Sequence, residues 1–357
     1  MEGMQQLKDD YPWTNTPLVV GAPMRLIALA DMAVEISKAG GLGFIGAGTD
    51  TSTLSSDLLA AAELFYDANI KTSNGVLPIG IGFINWGADL GTAVPLIEQF
   101  RPAAAWFFAP TSISSLCDWT NQTRKVSPQT KIWVQIGSVQ EASKILLAAR
   151  PDVFVVQGTD AGGHGLVRGA SLTTLFPEVT DSVHRTCRQE GIPPPVLVAA
   201  GGIVEARGAA AAFALGASGI VLGTRLLASP EANVSNGYKS EILRVSDGGQ
   251  STVRTKVYDK LRGTTGWAGT HNARGVINQS YVDAMAGMDE ENKKLYEEEI
   301  KKGEAGWGAA ARMTTYAGTG VGLVKEIKPA GDIVREVREG SRLVLHRLSS
   351  SAIVGKL

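Results

Sequence analysis

A histidine that follows two glycines has the setting in this sequence that most suggests catalysis. Gly162 and Gly163 precede His164, shortly after an apolar run. Glycines let the backbone cross a bound ligand without side-chain bulk, and imidazole, with an ordinary pKa of about 6.5, accepts a proton near neutral pH. The sequence therefore predicts His164 as a catalytic base. Asp160, four residues earlier, either pairs with His164 or binds the backbone of its own loop.

The other three histidines have settings that favour different roles. His184 and His346 fall inside helical patterns, and we expect both to be structural. His271 lies in a polar part of the chain and could face a substrate.

Glycines also follow two further apolar runs, and together they predict a phosphate site. Gly201 and Gly202 open one helical stretch, and Gly223 precedes Thr224. Such glycines let backbone N–H groups approach an anion, which a helix N-terminus also favours. Thr224 adds a hydroxyl donor. The pattern indicates a phosphorylated ligand and leaves open which one.

Eight short apolar runs must position these residues. Each run is nearly all apolar, as expected of parallel strands that are covered on both faces. Eight strands with helices between them predict an α/β fold, the (β/α)8 TIM barrel, whose site lies at the carboxyl ends of the strands. A doubly wound open sheet is the alternative. The predicted strands are Leu18–Gly21, Gly41–Gly46, Val76–Phe83, Ala103–Phe107, Lys131–Ile136, Val153–Gln157, Val196–Ala200 and Gly219–Gly223.

Helical patterns fill the intervals until a polar stretch interrupts the alternation. We expect residues 231–319 to form a mostly helical lid or insertion between the eighth strand and the final helix, with 1–230 and 320–357 forming the barrel. Asp31 is the expected N-cap of the first of these helices, and Gly191 and Gly216 are expected helix stops. The predicted helices are Asp31–Ala39, Ser52–Asn69, Thr92–Phe100, Ser112–Val126, Val139–Ala149, Leu172–Glu190, Glu205–Leu215 and Asp332–Leu348.

Composition excludes several classes of protein. The 34 basic and 35 acidic residues leave a net charge of −1, so no basic footprint for nucleic acid exists. Cys117 and Cys187 stand alone, which indicates neither a disulfide scaffold nor a zinc site. The first residues do not show the pattern expected of a secretory leader, and the sequence contains no run of about 20 apolar residues. We therefore expect a cytoplasmic protein without metal, although Gly355-Lys356-Leu357 is similar to a peroxisomal address.

Glycine is unusually frequent, with 42 of 357 residues against a usual share of about 7%. Four groups stand out: Gly40-Gly41, Gly162-Gly163, Gly201-Gly202 and Gly223. We expect them at or near one rim of the barrel, where they make room for a flat phosphorylated ligand. No G-x-G-x-x-G motif opens a βαβ unit, and the sequence has no Walker loop and no G-x-S-x-G elbow, so other common enzyme sites are not indicated.

Five segments together resemble the nitronate monooxygenase (2-nitropropane dioxygenase) family. The resemblance extends from about residue 17 to residue 348 and includes Gly318-Thr319-Gly320-Val321-Gly322. The five segments are Ala22-Pro23-Met24, Ala39-Gly40-Gly41-Leu42-Gly43, Val156–His164, Ala199-Ala200-Gly201-Gly202-Ile203 and Ala217–Arg225.

The resemblance implies a TIM barrel that binds FMN without a covalent bond. His164 matches the catalytic base of the family, which removes the α-proton of a nitroalkane, while a preformed nitronate needs no base. Oxygen then completes the oxidation to a carbonyl compound and nitrite. The implied FMN-binding residues are Ala22, Pro23, Met24, Asn85, Gln135, Gln157, Gly162, Gly163, Ala200, Gly201, Gly202, Gly223 and Thr224.

Two other functions stay open on the same barrel. One is an NAD(P)H-dependent flavin reductase that acts on quinones or enoyl compounds, and the other is a barrel that binds phosphate or flavin without turnover. Some members of the family carry Lys at the position of Gln135, and the residues of the lid cannot decide the substrate. The expected partners are a small nitronate or nitroalkane and oxygen, and a homodimer is left open.

Overall fold

The computed structural model describes residues 2–350 apart from 69, 71, 73 and 74, and a barrel of parallel strands lies at its centre. Most barrel strands are buried along nearly their whole length, because helices cover the outside and side chains fill the inside. The strands in the described part are β1 (Leu18–Gly21), β2 (Leu42–Gly48), β3 (Leu77–Ile84), β4 (Pro102–Phe108), β5 (Lys131–Ile136), β6 (Val153–Gln157), β7 (Gly163–Leu166), β8 (Val196–Ala200), β9 (Gly219–Leu222), β10 (Thr252–Thr255) and β11 (His271–Val276).

Eight of these strands, in the described residues, close the barrel in the order β1-β2-β3-β4-β5-β6-β8-β9. The ring closes where β9 pairs in parallel with β1, from Leu18 opposite Gly219 to Gly21 opposite Leu222. This closure confirms the predicted TIM barrel and excludes the doubly wound sheet. The predicted bounds of the eight strands differ from the observed ones by at most two residues.

Helices surround the barrel, and the predicted ones are confirmed with small shifts at their ends. The end expected at Asn69 lies outside the described residues. The helices in the described part are α1 (Glu2–Asp10), α2 (Ala30–Lys38), α3 (Leu54–Ala68), α4 (Leu90–Phe100), α5 (Ile113–Val126), α6 (Val139–Ala149), α7 (Leu172–Glu190), α8 (Ala206–Ala214), α9 (Thr224–Leu227), α10 (Asn236–Arg244), α11 (Gly248–Ser251), α12 (Val257–Arg262), α13 (Gln279–Met285), α14 (Asp289–Lys301) and α15 (Ala330–Ser350).

The ends of these helices show which capping predictions were right. The expectation that Asp31 caps α2 was wrong, because Leu29 is the N-cap residue and Asp31 lies in the first turn. Its carboxylate can still interact favourably with the positive end of the helix. Gly191 ends α7 with φ of +63°, and Gly216, with φ of +100°, follows the end of α8. Both glycines therefore stop their helices as expected.

Aromatic side chains fill the inside of the barrel. Trp133 Nε1 donates to the hydroxyl of Tyr11 at 2.7 Å, which ties the segment after α1 to β5. The ring of Phe44 lies 5.2 Å from that of Trp106 and 5.3 Å from that of Trp133. Because these rings occupy the interior between the strands, we expect a ligand to bind at the carboxyl ends of the strands and not inside the barrel.

A second sheet, absent from the predictions, joins the barrel to residues 231–319. The strands β10 and β11 pair with each other, and β11 also pairs with β7, which follows β6 directly. All three strands are short and contain glycine or arginine, so they show little of the apolar signal that strands usually give. The residue pairs of this sheet set Ala273 opposite His164.

Two further expectations concern the position of single segments. Gly40 and Gly41 precede β2, so they lie at the amino end of that strand, and their placement at the ligand-binding rim was wrong. At this amino end, Arg338 of α15 donates hydrogen bonds to the backbone carbonyls of Ala39 and Gly40, which directly follow α2. Gly355-Lys356-Leu357 lies outside the described residues.

The described residues contain no helix with both the length and the apolar character needed to cross a bilayer. Within the same residues, His, Cys, Asp and Glu side chains form no group of three or more that could hold a metal ion.

Candidate active site

A cavity of about 730 Å³ lies at the carboxyl ends of the barrel strands. Its wall combines the ends of the strands with residues of the segment 231–319. This volume is within the range of about 300–1,000 Å³ that is usual for small-molecule and cofactor sites. The cavity therefore has the size of a usual cofactor site.

Glycines form the part of the wall after β8 and β9. Gly201 and Gly202 have φ of +99° and +77°, values that residues with a Cβ rarely adopt. Gly223 is different, since a Cβ there would meet only the Cβ of Ala22 within 4 Å, at 3.9 Å. A side chain at Gly223 would thus point into open cavity space and not into the protein.

Thr224 adds a hydroxyl group beside these glycines. Its Oγ1 accepts a hydrogen bond from the backbone N–H of Gly318 at 2.9 Å. A hydroxyl group has one hydrogen as well as its acceptor lone pairs, so Thr224 keeps a hydrogen that it can donate into the cavity.

Amide side chains lie on the part of the wall formed by β5 and β6. Trp106 Nε1 donates to Oε1 of Gln135 at 3.1 Å, which leaves the amide nitrogen of Gln135 free to donate to a ligand. Gln157 Nε2 donates to the backbone carbonyl of His164 at 3.4 Å. The two glutamines thus face the same cavity, and one of them also supports β7.

His164 lies on the cavity wall in β7 and is paired with a buried carboxylate. Its Nε2 is 2.9 Å from Oδ1 of Asp259, a residue of α12 that lies 95 positions further along the chain. The two side chains are 15% and 4% exposed. The same Oδ1 accepts from Thr264 Oγ1 at 2.9 Å and from the hydroxyl of Tyr316 at 3.4 Å.

Two aromatic rings fix the plane of the His164 imidazole. Trp267 stacks on it with a centroid distance of 3.7 Å and an interplanar angle of 8°. Tyr316 meets it edge-on, with centroids 5.7 Å apart. Because the ring is held by stacking and by Asp259 together, it has little freedom to turn.

Two arginines hold the loop that leads to His164. Arg254 of β10 donates to the carbonyls of Thr159, Ala161 and Gly163, and Arg274 of β11 donates to that of Thr159. Burial, with the nearby charge of Arg274, lowers the pKa of Arg254 to about 10, so this guanidinium is still charged at neutral pH. The second sheet therefore fixes the backbone that presents His164.

Asp160 plays neither of the two roles considered from the sequence. Its Oδ1 accepts a hydrogen bond from Thr319 Oγ1 at 2.9 Å, which ties the loop to a distant segment. Asp259, and not Asp160, is the carboxylate partner of His164.

The described part of the wall carries positive side chains and no aspartate or glutamate. Arg25 and Arg262 are the arginines that line it. Burial, together with the negative charge of Asp259, raises the pKa of Tyr316 above its ordinary value, so the phenol of Tyr316 stays neutral at neutral pH. His164 is the one histidine among the described wall residues, and histidine is the side chain that most often acts as a general base.

Comparison with known proteins decides the family. The model of the family described as nitronate monooxygenase matches residues 120–340. The chain is 46% identical to the nitronate monooxygenase npaC of Metarhizium robertsii, over 96% of this chain and 96% of that protein. The chain belongs to the nitronate monooxygenase family. It is also 35% identical to the nitronate monooxygenase of Neurospora crassa, over 98% of this chain and 95% of that one.

The nitronate monooxygenase family consists of oxidoreductases, so the chain is an enzyme, and the family implies a flavin. Among solved structures, the chain is similar to FabK from Thermotoga maritima, with a TM-score of 0.70 and 25% identity. That similarity covers 96% of this chain and 98% of the other. The resemblance found in the sequence is therefore confirmed at the level of family and fold.

Almost all residues that the nitronate monooxygenase resemblance implied for the cofactor line the cavity. The exception is Asn85, which is buried beside it and whose Oδ1 accepts from the backbone N–H of Phe108 at 2.8 Å. The implied residues on the wall are Ala22, Pro23, Met24, Gln135, Gln157, Gly162, Gly163, Ala200, Gly201, Gly202, Gly223 and Thr224.

Sequence reasoning missed the residues that surround His164. Asp259, Trp267 and Tyr316 come from the segment 231–319, and no spacing rule connects them to His164. The β-branched residues of β10 (Thr252–Thr255) were a weak signal for the second sheet. That sheet would have placed the segment next to the loop of His164.

His271, a second histidine of the described chain, is not among the residues that line the described cavity. It is 8% exposed, and its ring lies 5.5 Å from that of Phe108 and 6.0 Å from that of Trp267. Burial, together with the nearby His164, Arg254 and Lys256, lowers the pKa of His271 to about 4.

This lowered pKa predicts a loss of stability in acid. The folded state binds fewer protons than the unfolded state between pH 4 and 6.5, so the free energy of unfolding falls as the pH falls. From pH 7 to pH 5 we expect His271 to account for a loss of about 2 kcal/mol. Urea unfolding at both pH values, for wild type and His271→Gln, measures this part, and His271→Gln should lose that much less.

The exposed His184 on α7 offers the matched control for this measurement. His184→Gln should retain the whole pH dependence of the wild type. An unchanged pH dependence in His271→Gln would contradict the assignment.

Proposed function

We propose that this enzyme oxidises alkyl nitronates with molecular oxygen in an FMN-dependent reaction, giving a carbonyl compound and nitrite. Neutral nitroalkanes would be substrates after loss of their α-proton. The observation that carries the proposal is a cavity wall with His164 and two arginines but no carboxylate in its described part. Such a wall favours an anion, and a nitronate is an anion.

The residues of the wall fit FMN. Gly201, Gly202, Gly223 and Thr224 would hold the phosphate, because Gly223 leaves space for it and Thr224 has a hydroxyl hydrogen to donate. Trp86 Nε1 is a further donor on the wall that is buried and has no partner among the described residues.

The flavin ring and ribityl chain would lie against a different part of the wall. The residues that would contact them are Ala22, Pro23, Met24, Gln135, Gln157, Gly162, Gly163 and Ala200. When bound, FMN supplies the electron-transfer chemistry with nitronate and oxygen. The protein supplies binding, orientation and the proton acceptor.

In this proposal His164 takes the α-proton of a neutral nitroalkane. Arg25 and Arg262 give the cavity positive charge, which favours the nitronate product of that step over the neutral substrate. A substrate that enters as a preformed nitronate does not need His164 as a base.

We also propose that residues 231–319 act as a lid on a barrel made of 1–230 and 320–357. Support comes from Asp259, Trp267 and Tyr316, which reach His164 from that segment. A site whose walls come from both parts can exclude water during the reaction.

The test begins with purified protein reconstituted with FMN. We expect flavin absorbance that stays with the protein, and nitrite release with oxygen consumption when preformed propyl-2-nitronate is added. Rapid anaerobic bleaching by NADPH, without nitrite from nitronate, would instead favour an NAD(P)H-dependent flavin reductase. Protein that stays colourless after FMN addition would contradict the flavin assignment.

A further inference from the structure

We infer that Asp259 is the positioning residue of His164 and that Nδ1 of His164 is the atom that takes the α-proton of a nitroalkane. This inference rests on the proposed function and assigns the atoms of its proton transfer. It follows from how the two nitrogens of one imidazole ring are used in the structure.

A neutral imidazole has one N–H and one nitrogen with a free lone pair. His164 Nε2 is 2.9 Å from Oδ1 of Asp259, and an ionised carboxylate can only accept a hydrogen bond. Nε2 therefore carries the hydrogen, and Nδ1 carries the lone pair. The ring of Trp267, stacked on the imidazole at a centroid distance of 3.7 Å, holds the imidazole in the orientation in which Nε2 faces Asp259.

The proton transfer then balances without any further reactant. The α-C–H bond of the nitroalkane breaks and an N–H bond forms at Nδ1. The electron pair of the C–H bond stays with the substrate as the nitronate, and His164 becomes an imidazolium. Asp259 stabilises that imidazolium through the charge-assisted bond at Nε2.

The surroundings of Asp259 distinguish its two oxygens. Three donors converge on Oδ1, namely His164 Nε2, Thr264 Oγ1 and the hydroxyl of Tyr316. Oδ2 is buried and has no hydrogen-bond partner among the described residues. A buried carboxylate with one unpartnered oxygen is costly to the fold, which favours a role in the reaction over a role in stability.

This difference decides what an asparagine at position 259 would do. Its carbonyl should take the place of Oδ1, where the three donors meet, and its amide nitrogen should take the unpartnered place of Oδ2. The variant Asp259→Asn therefore keeps His164 in the same orientation and tautomer and removes only the negative charge. Asp259→Ala removes both the charge and the hydrogen bond.

The test compares a neutral nitroalkane with its preformed nitronate in the FMN-loaded variants. For Asp259→Asn we expect kcat/KM on the nitroalkane to fall about 10- to 100-fold, because a neutral carbonyl stabilises the imidazolium less than a carboxylate does. Asp259→Ala should fall further, while both variants keep the wild-type rate on the nitronate. The deuterium isotope effect with an α-deuterated nitroalkane should rise, because C–H cleavage becomes slower.

Two further variants serve as comparisons for Asp259→Asn. Asp289→Asn changes an exposed aspartate of the same segment and should behave as wild type. Thr264→Val removes one donor to Oδ1 but keeps the carboxylate, and it should lose a smaller part of the activity on nitroalkane alone.

Two results would overturn the inference. One is wild-type kcat/KM on the nitroalkane in Asp259→Asn, and the other is an equal loss on both substrates, which a merely structural role would give. If instead the wild-type enzyme releases no nitrite from the nitronate, the proposed function itself fails, and the two failures are thereby distinguished.

Discussion

Replacing His164 by glutamine is expected to lower kcat/KM for a neutral nitroalkane by about 100- to 10,000-fold, the usual contribution of a general base. Glutamine can still donate through its amide nitrogen toward Asp259, so the buried carboxylate keeps a partner. It has no group that accepts a proton near neutral pH. The described wall also offers no aspartate or glutamate that could replace His164.

The measurement is nitrite release under air, with nitroalkane and preformed nitronate compared at equal flavin content. The nitronate should react at nearly the wild-type rate, because its α-proton is already gone. His184→Gln, on the exposed face of α7, is the matched control and should leave both rates unchanged. If His164→Gln retained wild-type kcat/KM on the nitroalkane, another group would be the base.

The barrel could be predicted from the sequence because its signal is local. A strand that is covered on both faces has to be apolar along nearly its whole length, and each of the eight runs shows this by itself. The loops that form the site can then be identified, because the site of such a barrel lies at the carboxyl ends of its strands. For this reason the sequence alone could predict that His164, Gly202 and Gly223 line the same cavity.

The immediate partners of His164 could not be predicted, because their proximity is set by tertiary structure alone. Asp259 lies 95 residues away on a helix of six residues, and the strands that bring this helix to β7 have four and six residues. Asp160 was the nearer candidate in sequence, and Thr319 binds it instead. Nearness along the chain was therefore a poor guide to pairing.

The substitution Gly223→Asp tests the proposed phosphate site with little risk to the fold. Gly223 is the N-cap residue of α9 with φ of −116° and ψ of −78°, so it lies outside the left-handed region that favours glycine. Aspartate is among the preferred residues at that position. A Cβ added there meets only the Cβ of Ala22 within 4 Å, at 3.9 Å. We therefore expect a free energy of unfolding within about 0.5 kcal/mol of wild type when no flavin is present.

FMN affinity should behave in the opposite way. The carboxylate of Gly223→Asp would occupy the space where the phosphate is proposed to lie, and two negative groups at such a distance repel strongly. We expect Kd for FMN to rise by at least about 100-fold, which corresponds to about 2.7 kcal/mol. Gly223→Ala adds bulk without charge and should weaken binding less.

Fluorescence titration of apoprotein with FMN, together with riboflavin as a ligand without phosphate, separates charge from shape. Riboflavin binding should change much less than FMN binding in Gly223→Asp, because riboflavin has no phosphate to repel. Gly269→Asp is the matched control, since Gly269 is exposed and a Cβ there meets no atom within 4 Å. Equal losses for both flavins would mean that position 223 contacts a part of the flavin other than its phosphate. Unchanged FMN affinity would place the phosphate at a different wall of the cavity.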